Sequence, residues 1–284
     1  EHAARVADEA AALLSAPECP AATTDLILEG SQLALQIHES VGHAIELDRI
    51  LGWEAAFAGT SFLPLPQLGS FRYGSHLMNI VADATVPGAL ATFGYDDEGT
   101  LAQRVPIVDV GTWVGVLSGR DSAHIAEVAP GGMVRGDGYN RLPMVRMTNV
   151  GLLPGDDSLD AIVADTDDGL LMATNRSWSI DDRRLNFQFG CEIAWEIKDG
   201  RCGRMLRNPT YTGITPQFWG SLDRLSRGRP EDGRFDGSDP ASVPDDYVAW
   251  GLPNCGKGQP VQTAGTGHMA APARFHDVRV GVHG

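Results

Sequence analysis

Glycine and proline punctuate most of this chain and limit what it can fold into. The 284 residues include 34 glycines and 17 prolines, and most of them lie beyond residue 50. They separate short runs of apolar and alternating residues, which is typical of strands joined by turns. The pattern predicts a β-rich α+β fold of antiparallel strands with a few helices and long loops.

Four stretches carry this strand pattern: 76–86, 99–117, 158–181 and 184–208. The last contains EIAWEIKDGRCGRML, in which residues alternate on both sides of Asp199-Gly200. An Asp-Gly pair favours the tight turn of a two-residue hairpin, so a hairpin is predicted there. The stretch ADTDDGLLMAT repeats the pattern and predicts a second turn at Asp168-Gly169.

Helices are predicted over fewer residues: 3–15, 31–50, 119–127 and 216–226. The first is alanine-rich and ends at Pro17 and Pro20, in a chain that does not start with Met. We therefore predict that residues 1–20 are an interdomain helix and linker, and that residues 21–284 form one β-rich domain. Residues 227–246 are polar and rich in proline and glycine, which predicts a surface loop.

Composition argues against several classes of protein. The formal net charge of -15 repels phosphate backbones, so nucleic acid is not expected as a partner. The chain is 43% hydrophobic and can bury a sizeable core, but it has no run of about 18 apolar residues to span a membrane. None of the four cysteines forms a C-x-x-C pair, and so few in this length predict a reducing, cytoplasmic setting.

The stretch HESVGH, residues 38–43, combines metal-ligating and acid–base side chains. Zinc binds imidazole, thiolate and carboxylate groups, and a neighbouring carboxylate can take the proton from an activated water. Histidines four residues apart, as in H-E-x-x-H, share one helix face. His38 and His43 are five apart, so a regular α-helix would direct them about 140° from each other. A π-type widening, or a loosening at Gly42, would bring them together, and we predict such a distortion between residues 38 and 43.

A catalytic zinc site needs a third protein ligand. Glu46 lies three residues beyond His43, one helical step away. Cys255 and His268 lie together in the Gly-rich segment GLPNCGKGQPVQTAGTGHM. Spacing alone does not rank these three candidates.

The stretch HESVGHAIELDRILGWEAAFAGTSFL resembles the signature of the TldD/PmbA family of metallopeptidases, whose active member carries H-E-x-x-x-H. Other stretches are similar to family blocks in the family's order: YGSHLMNIVADATVPGALATFGYDDEGT, MVRMTNVGLLPGDDSLDAIVADTDDGLLMATNRSWSIDDRRLNFQFG, LRNPTYTGITPQFWGSLD and NCGKGQP. The resemblance covers nearly the whole chain from about residue 20.

This resemblance implies a C-terminal, β-rich domain that carries the metal; the α/β domain that precedes it in the family is expected to be absent from this chain. It implies His38, His43 and Cys255 as metal ligands and Glu39 as the general base. The implied cofactor is Zn²⁺ or another divalent transition metal. The implied partners are a peptide substrate and a second subunit, either a copy of this chain or a TldE-like subunit. Because the family's inactive subunit lacks the motif, this chain resembles the active, TldD-like subunit.

The implied chemistry is metal-assisted hydrolysis of amide bonds in unstructured or modified peptides. A thiolate ligand makes zinc a weaker Lewis acid, so a second electrophile or substrate contact is expected, with His268 and Tyr211 as candidates. The strand edge at 195–206 favours recognition of an extended peptide by β-addition. Arg183, Arg184 and Arg207 could hold a peptide carboxylate, but they are interpreted as surface arginines paired with acidic groups.

Two alternative functions stay open. One is a structural or non-catalytic metal-binding subunit of a TldD/TldE-like complex, in which Glu46 or His268 would complete a closed site of four protein ligands. The other is an amide hydrolase that matures a natural product.

Overall fold

The computed structural model describes residues 2–227 and 248–281. Within these ranges the helical segments are α1 (His2–Leu13), α2 (Gly30–Ile37), a π-helical turn (His38–Gly42), α3 (Leu47–Ile50), a 3₁₀ turn (Leu65–Gln67), α4 (Arg120–Ala126), α5 (Leu159–Ala164) and α6 (Thr215–Gly220). The strands are β1 (Ala22–Leu28), β2 (Ile80–Asp83), β3 (Arg104–Asp109), β4 (Thr112–Trp113), β5 (Val134–Arg135), β6 (Met144–Val145), β7 (Asn149–Leu152), β8 (Asp168–Ile180), β9 (Asn186–Lys198), β10 (Arg201–Arg207), β11 (Thr210–Ile214), β12 (Leu222–Leu225), β13 (Val248–Lys257), β14 (Gln262–Ala270) and β15 (Ala273–Val280).

Two sheets make up most of the fold. The first has the order β1-β8-β9-β11-β15-β12, with β10 paired to β9, and β15 also pairs with β1 to close the path. The second has the order β13-β14-β7-β2-β3-β4, while β5 and β6 form a separate pair. Strands β1 and β8 pair in parallel, as do β14 and β7, and the other pairings named here are antiparallel. The predicted β-rich α+β fold is therefore confirmed.

The hairpin predicted at Asp199-Gly200 is present between β9 and β10. Lys198 pairs with Arg201, and the two turn residues have φ values of 47° and 72°. Positive φ at both central residues is the requirement that makes Asp-Gly suitable for this turn. Helices α1 and α4 also lie where the sequence predicts them.

The second predicted turn, at Asp168-Gly169, is wrong. These two residues begin β8, and the residues before them form helix α5 instead of a strand. Ser158 caps this helix by accepting a hydrogen bond from Ala161 N at 3.1 Å. A capping serine therefore overrides the strand-like appearance of a short apolar run.

The helix predicted over residues 31–50 is interrupted. It continues from α2 through the π-helical turn, but Glu46 has an extended backbone before the short α3 begins. The helix predicted over 216–226 ends at Gly220, and β12 follows it. The loop predicted over 227–246 lies outside the described residues except for residue 227. No helix in the described ranges has the length and apolar character needed to cross a membrane.

Helix α2 lies in the interior and packs against β8 of the first sheet and β14 of the second. Its apolar residues Leu33 and Ile37 are fully buried in the core that both sheets share. Gln32 and Gln36 are also fully buried, and each hydrogen-bonds the Tyr211 hydroxyl at 2.9 Å. The helix that leads into HESVGH is therefore held from two sides before the motif begins.

Candidate metal centre

The π-helical turn places the two motif histidines side by side. His43 N donates to His38 O at 3.1 Å, the five-residue bond that defines a π-helix. The ring centroids are 4.7 Å apart and the ring planes are nearly perpendicular. The distortion predicted from the five-residue spacing is confirmed.

Gly42 serves this turn through its small size. Its φ is not positive, so the backbone freedom of glycine is not what the turn uses. A Cβ built on Gly42 would come within 2.1 Å of Met147 Sδ, on a side chain that is fully buried. Of the two predicted alternatives, the structure has the π-type widening, and Gly42, the last residue of that turn, makes room for Met147.

Cys255 of β13 completes a group of three buried side chains. One ligand atom each from His38, His43 and Cys255 lie within 4.8 Å of one another. The distance from Cys255 Sγ to His43 Nε2 is 3.7 Å. Ordinary zinc bond lengths in a tetrahedral site separate sulfur and nitrogen ligands by about 3.5 Å, so this donor set fits zinc.

Contacts behind His38 determine which of its nitrogens is available. His268 Nδ1 lies 3.1 Å from the Val150 carbonyl, which only accepts, so this nitrogen carries a proton. His268 Nε2 then accepts from His38 Nδ1 at 2.7 Å and leaves His38 Nε2 unprotonated. Burial lowers the pKa of His268 to about 4 and, with the charges of His43 and His268, holds the pKa of His38 well below its usual value. Both rings are neutral, as metal ligation requires.

A buried ionic network stands behind His43. Glu46 Oε2 accepts from His43 Nδ1 at 3.0 Å and from Arg49 Nε at 2.7 Å. Burial would raise the pKa of Glu46, but Lys257, His43 and Arg49 hold it well below its usual value. Lys257 Nζ also contacts both Asp48 oxygens, at 2.8 and 2.7 Å. A carboxylate behind a histidine fixes the ring and raises its basicity as a ligand.

The buried cation of Arg146 lies behind Cys255, the third candidate ligand. Arg146 is 1% exposed, and it donates to the Cys255 carbonyl and to the Gln262 carbonyl, the latter at 3.0 Å. These bonds tie β13 to β14 at Cys255. Burial raises the pKa of the Cys255 thiol, and the charge of Arg146 opposes that rise.

Glu39 projects beside the three candidate ligands and pairs with Arg184. Arg184 Nη1 donates to Glu39 Oε2 at 2.9 Å, and the two side chains are 15% and 8% exposed. Burial raises the pKa of Glu39, while the charges of Arg184 and Arg49 oppose the rise. The carboxylate is therefore both partly desolvated and paired.

A cavity of about 600 Å³ opens onto this group. Its lining includes His38, Glu39, His43, Cys255 and Arg184. Trp178 of β8 and Trp250 of β13 contribute aromatic walls. A molecule in this cavity can reach the candidate ligands and the carboxylate together.

The profile of the family described as PmbA/TldA metallopeptidase C-terminal domain matches residues 21–254. The chain belongs to the PmbA/TldD metallopeptidase family. A metalloprotease of Methanocaldococcus jannaschii is 30% identical over 232 residues, which are 82% of this chain and 49% of that protein. A metalloprotease TldD homolog of Buchnera aphidicola is 27% identical over 200 residues, covering 70% of this chain and 40% of the relative. The chain thus spans less than half the length of these two curated relatives.

The same PmbA/TldD architecture is found in solved structures. TldE from Thermococcus kodakarensis superposes with a TM-score of 0.75 and 15% sequence identity. The match covers 98% of this chain and 54% of that one. At this identity the likeness establishes the shared fold alone.

Within this PmbA/TldD fold, the predicted site residues separate into two groups. The structure brings His38, Glu39, His43 and Cys255 together on one cavity. His268 is fully buried behind His38, and Tyr211 is fully buried with its hydroxyl between two glutamines. Neither His268 nor Tyr211 lines the cavity.

Sequence reasoning missed two arginines of this PmbA/TldD site. Arg146 is absent from the sequence-based candidates, and for Arg184 the sequence favours a surface salt bridge over a contact with a peptide carboxylate. Arg184 is largely buried on Glu39, whereas the adjacent Arg183 is exposed. Two neighbouring arginines look alike in sequence, and only the path of the turn decides which one faces inward.

Proposed function

We propose that this chain is the metal-binding catalytic domain of a zinc-dependent peptidase that hydrolyses amide bonds of unstructured or modified peptides. One observation carries the proposal: three buried ligand atoms lie within 4.8 Å of one another at a cavity of about 600 Å³ that Glu39 also lines. Catalytic zinc sites have three protein ligands and one open position, whereas structural sites are closed by four.

Neither candidate for a fourth protein ligand faces the cavity. Glu46 accepts hydrogen bonds from His43 Nδ1 and Arg49, and His268 accepts from His38 Nδ1. Glu46 therefore holds the His43 ring and His268 holds the His38 ring, each on the side away from the cavity. This arrangement favours the enzyme over a structural or non-catalytic metal-binding subunit.

The proposed chemistry divides between the metal and Glu39. Bound zinc would lower the pKa of a water molecule and polarise the substrate carbonyl. Glu39 takes a proton from the attacking water and passes it to the amine nitrogen as the C–N bond breaks. His38 and His43 would hold the metal through Nε2, because the Nδ1 of each ring already bonds His268 or Glu46.

The cavity favours an extended substrate. Strand β13 is at the end of its sheet order in the described part of the chain. Six of its residues line the cavity: Trp250, Gly251, Leu252, Asn254, Cys255 and Gly256. An exposed strand edge can bind a peptide through main-chain hydrogen bonds. The edge predicted at 195–206 belongs to the β9–β10 hairpin and does not line the cavity. We therefore propose β13 as the edge that an unstructured peptide meets.

A second subunit and a cytoplasmic location are part of the same proposal. The Buchnera relative is named a TldD homolog and the archaeal structure is TldE, which supports a pairing with a TldE-like chain or with a second copy. All four cysteines are free, in keeping with a reducing compartment.

Removal of the metal tests the proposed function. The protein, purified together with a TldE-like partner chain, is expected to contain about one zinc per active subunit and to cleave an unstructured peptide. A chelator should abolish cleavage, and added zinc should restore it, because the water is activated only by the bound metal. Elemental analysis of the protein measures its zinc content, and mass spectrometry of the peptide products measures cleavage. Cleavage that is unaffected by complete metal removal contradicts the proposal.

We also predict that His268 orients His38 for metal binding. His268→Leu is expected to weaken zinc affinity about 10- to 100-fold, the usual effect of losing a partner behind a histidine ligand. His268→Gln should lose less, because its amide oxygen can still accept from His38 Nδ1. Competition with a chelator of known affinity measures the change.

Tyr211→Phe is the matched control for His268. It removes a buried hydroxyl bonded to Gln32 and Gln36 but leaves the contacts of His38 intact. It should lower the unfolding temperature without changing zinc affinity. Wild-type zinc affinity in His268→Leu would show that His38 needs no such support.

A further inference from the structure

We propose that Arg184 is the second electrophile of this site, the group that binds the substrate's carbonyl oxygen as it becomes negatively charged. The inference rests on the proposed function and extends it to a residue outside the HESVGH motif. It replaces His268 and Tyr211, the two candidates from sequence, neither of which lines the cavity.

Arg184 lies on the cavity beside Glu39, near the place where a reacting carbonyl would bind. It lines the cavity together with the three candidate ligands, and its Nη1 lies 2.9 Å from Glu39 Oε2. A water hydrogen-bonded to Glu39 is then about 5 Å from Nη1, and the carbonyl oxygen is one carbon atom beyond the attacking water. We infer that the guanidinium has only a short shift to make in order to donate to that oxygen.

The turn between β8 and β9 holds the backbone of Arg184 in place. Its φ is 63°, which is uncommon for a residue other than glycine, asparagine or aspartate. Arg184 N donates to Asp181 O at 2.9 Å, and Arg184 O accepts from Thr215 Oγ1 at 2.8 Å. Arg184 Nη2 donates to Ala58 O at 3.2 Å. The fold, and not a freely rotating surface chain, directs this guanidinium toward Glu39.

The charge that pairs with Arg184 changes place during the proposed reaction, from the Glu39 carboxylate to the carbonyl oxygen of the substrate. Among the described residues, Glu39 is the one carboxylate within ion-pair distance of Arg184. As the water oxygen bonds to the carbonyl carbon, Glu39 takes the water proton and becomes neutral. The π electron pair moves to the carbonyl oxygen, which becomes negative in the same step. Arg184 thus loses one anionic partner as another forms beside it, and the interaction is strongest in the transition state.

The second half of the reaction returns Arg184 to Glu39. The electron pair on the oxygen re-forms the carbonyl, the C–N bond breaks, and Glu39 donates its proton to the amine nitrogen. The products are a carboxylic acid group and an amine, and Glu39 is again a carboxylate. The resting ion pair is restored without any further reactant.

Arg49, the other cation among the described residues that line the cavity, is paired with a different carboxylate. Arg49 is 1% exposed, and its Nε donates to Glu46 Oε2 at 2.7 Å, behind His43. Glu46 keeps its charge throughout the proposed reaction, so the ion pair of Arg49 does not change, although its buried Nη1 has no hydrogen-bond partner among the described residues. Arg184 is therefore the cation whose counter-charge disappears when the oxyanion forms.

The test measures the affinity for two peptide ligands in the Glu39→Gln protein, which is expected not to hydrolyse them. Metal-loaded Glu39→Gln protein and a Glu39→Gln/Arg184→Met double variant are compared for two ligands of the same peptide sequence. One is the amide substrate; the other is a phosphinic peptide, whose anionic oxygen on a tetrahedral phosphorus resembles the reacting carbonyl. Because Glu39 is already replaced, any effect of Arg184 through Glu39 is removed.

We expect the double variant to bind the phosphinic peptide about 100-fold more weakly, the size of effect seen when one oxyanion donor is lost. Its affinity for the amide substrate should change by less than about threefold. Arg183→Met, in the same background, is the matched control, because Arg183 is the exposed neighbour of the same residue type. It should leave both affinities and the zinc content unchanged.

Two results would overturn the proposal. If the double variant loses equal affinity for both ligands, Arg184 contacts the substrate equally in the ground state and the transition state. If it loses affinity for neither ligand, the role of Arg184 is limited to holding Glu39. If Arg184→Met loses zinc or folds poorly, Arg184→Lys is tested in its place in the Glu39→Gln background. Lysine keeps the positive charge, so its affinity for the phosphinic peptide should stay within about tenfold of that of the Glu39→Gln protein. Absence of hydrolysis by wild-type, zinc-loaded protein would instead reject the proposed function, a result that the binding comparison does not depend on.

Discussion

Glu39→Gln is expected to reduce peptide hydrolysis about 10²- to 10⁴-fold while the metal stays bound. Glutamine has nearly the same shape as glutamate but cannot take a proton from water. His38, His43 and Cys255 do not depend on Glu39 for their own contacts, so the metal-binding group should survive. Elemental analysis and peptide cleavage on the same samples separate the two effects.

Glu192→Gln is the matched control for this change. Glu192 is an exposed residue of β9, so its replacement should leave cleavage and zinc content as in wild type. Because Arg184 loses its ion-pair partner in Glu39→Gln, the unfolding temperature of each variant must be measured as well. Cleavage at the wild-type rate by folded, zinc-loaded Glu39→Gln would rule out Glu39 as the base.

Cys255→Ser is expected to weaken zinc binding by at least about 100-fold. A thiolate is a soft, charged ligand that zinc favours, whereas a serine hydroxyl stays protonated near neutral pH and binds zinc weakly. Loss of a direct ligand should exceed the 10- to 100-fold cost of losing an outer partner. Hydrolysis should fall with the metal content.

The backbone around Cys255 should survive this replacement. Arg146 donates to the carbonyls of residues 255 and 262, which the substitution keeps, so β13 stays tied to β14 in the serine variant. The exposed Cys202 provides the control, since Cys202→Ser removes a thiol without touching the cavity. Added zinc should raise the unfolding temperature of wild type and Cys202→Ser but not of Cys255→Ser. Full zinc affinity in Cys255→Ser would show that the third ligand lies elsewhere.

The fold is predictable from sequence wherever one local signal dominates. Asp199-Gly200 decided a hairpin because few other dipeptides accept two successive positive φ values. The run around Leu159–Ala164 is too short for its apolar pattern to distinguish strand from helix. There the cap at Ser158 and the packing around it decided for a helix.

In the candidate site too, local spacing predicts some features and only the folded structure shows the others. The five-residue spacing of His38 and His43 predicts a π-helical turn, and the turn is present. Spacing could not choose among Cys255, His268 and Glu46, and the structure brings only Cys255 into the group of three. Spacing also does not reveal that Gly42 makes room for Met147 or that Arg184 pairs with Glu39, because both contacts depend on what lies opposite in the folded chain.

Sequence by itself determined the strand-rich class, the hairpin and the distortion within HESVGH. These features follow from interactions among residues a few positions apart, which covalent geometry limits to a few outcomes. The tertiary structure alone decided that Cys255 meets His43 across 212 positions, His268 meets His38 across 230, and Arg184 meets Glu39 across 145. Contacts at such separations depend on how β8, β13 and β14 close around one helix, and that packing is a property of the whole core.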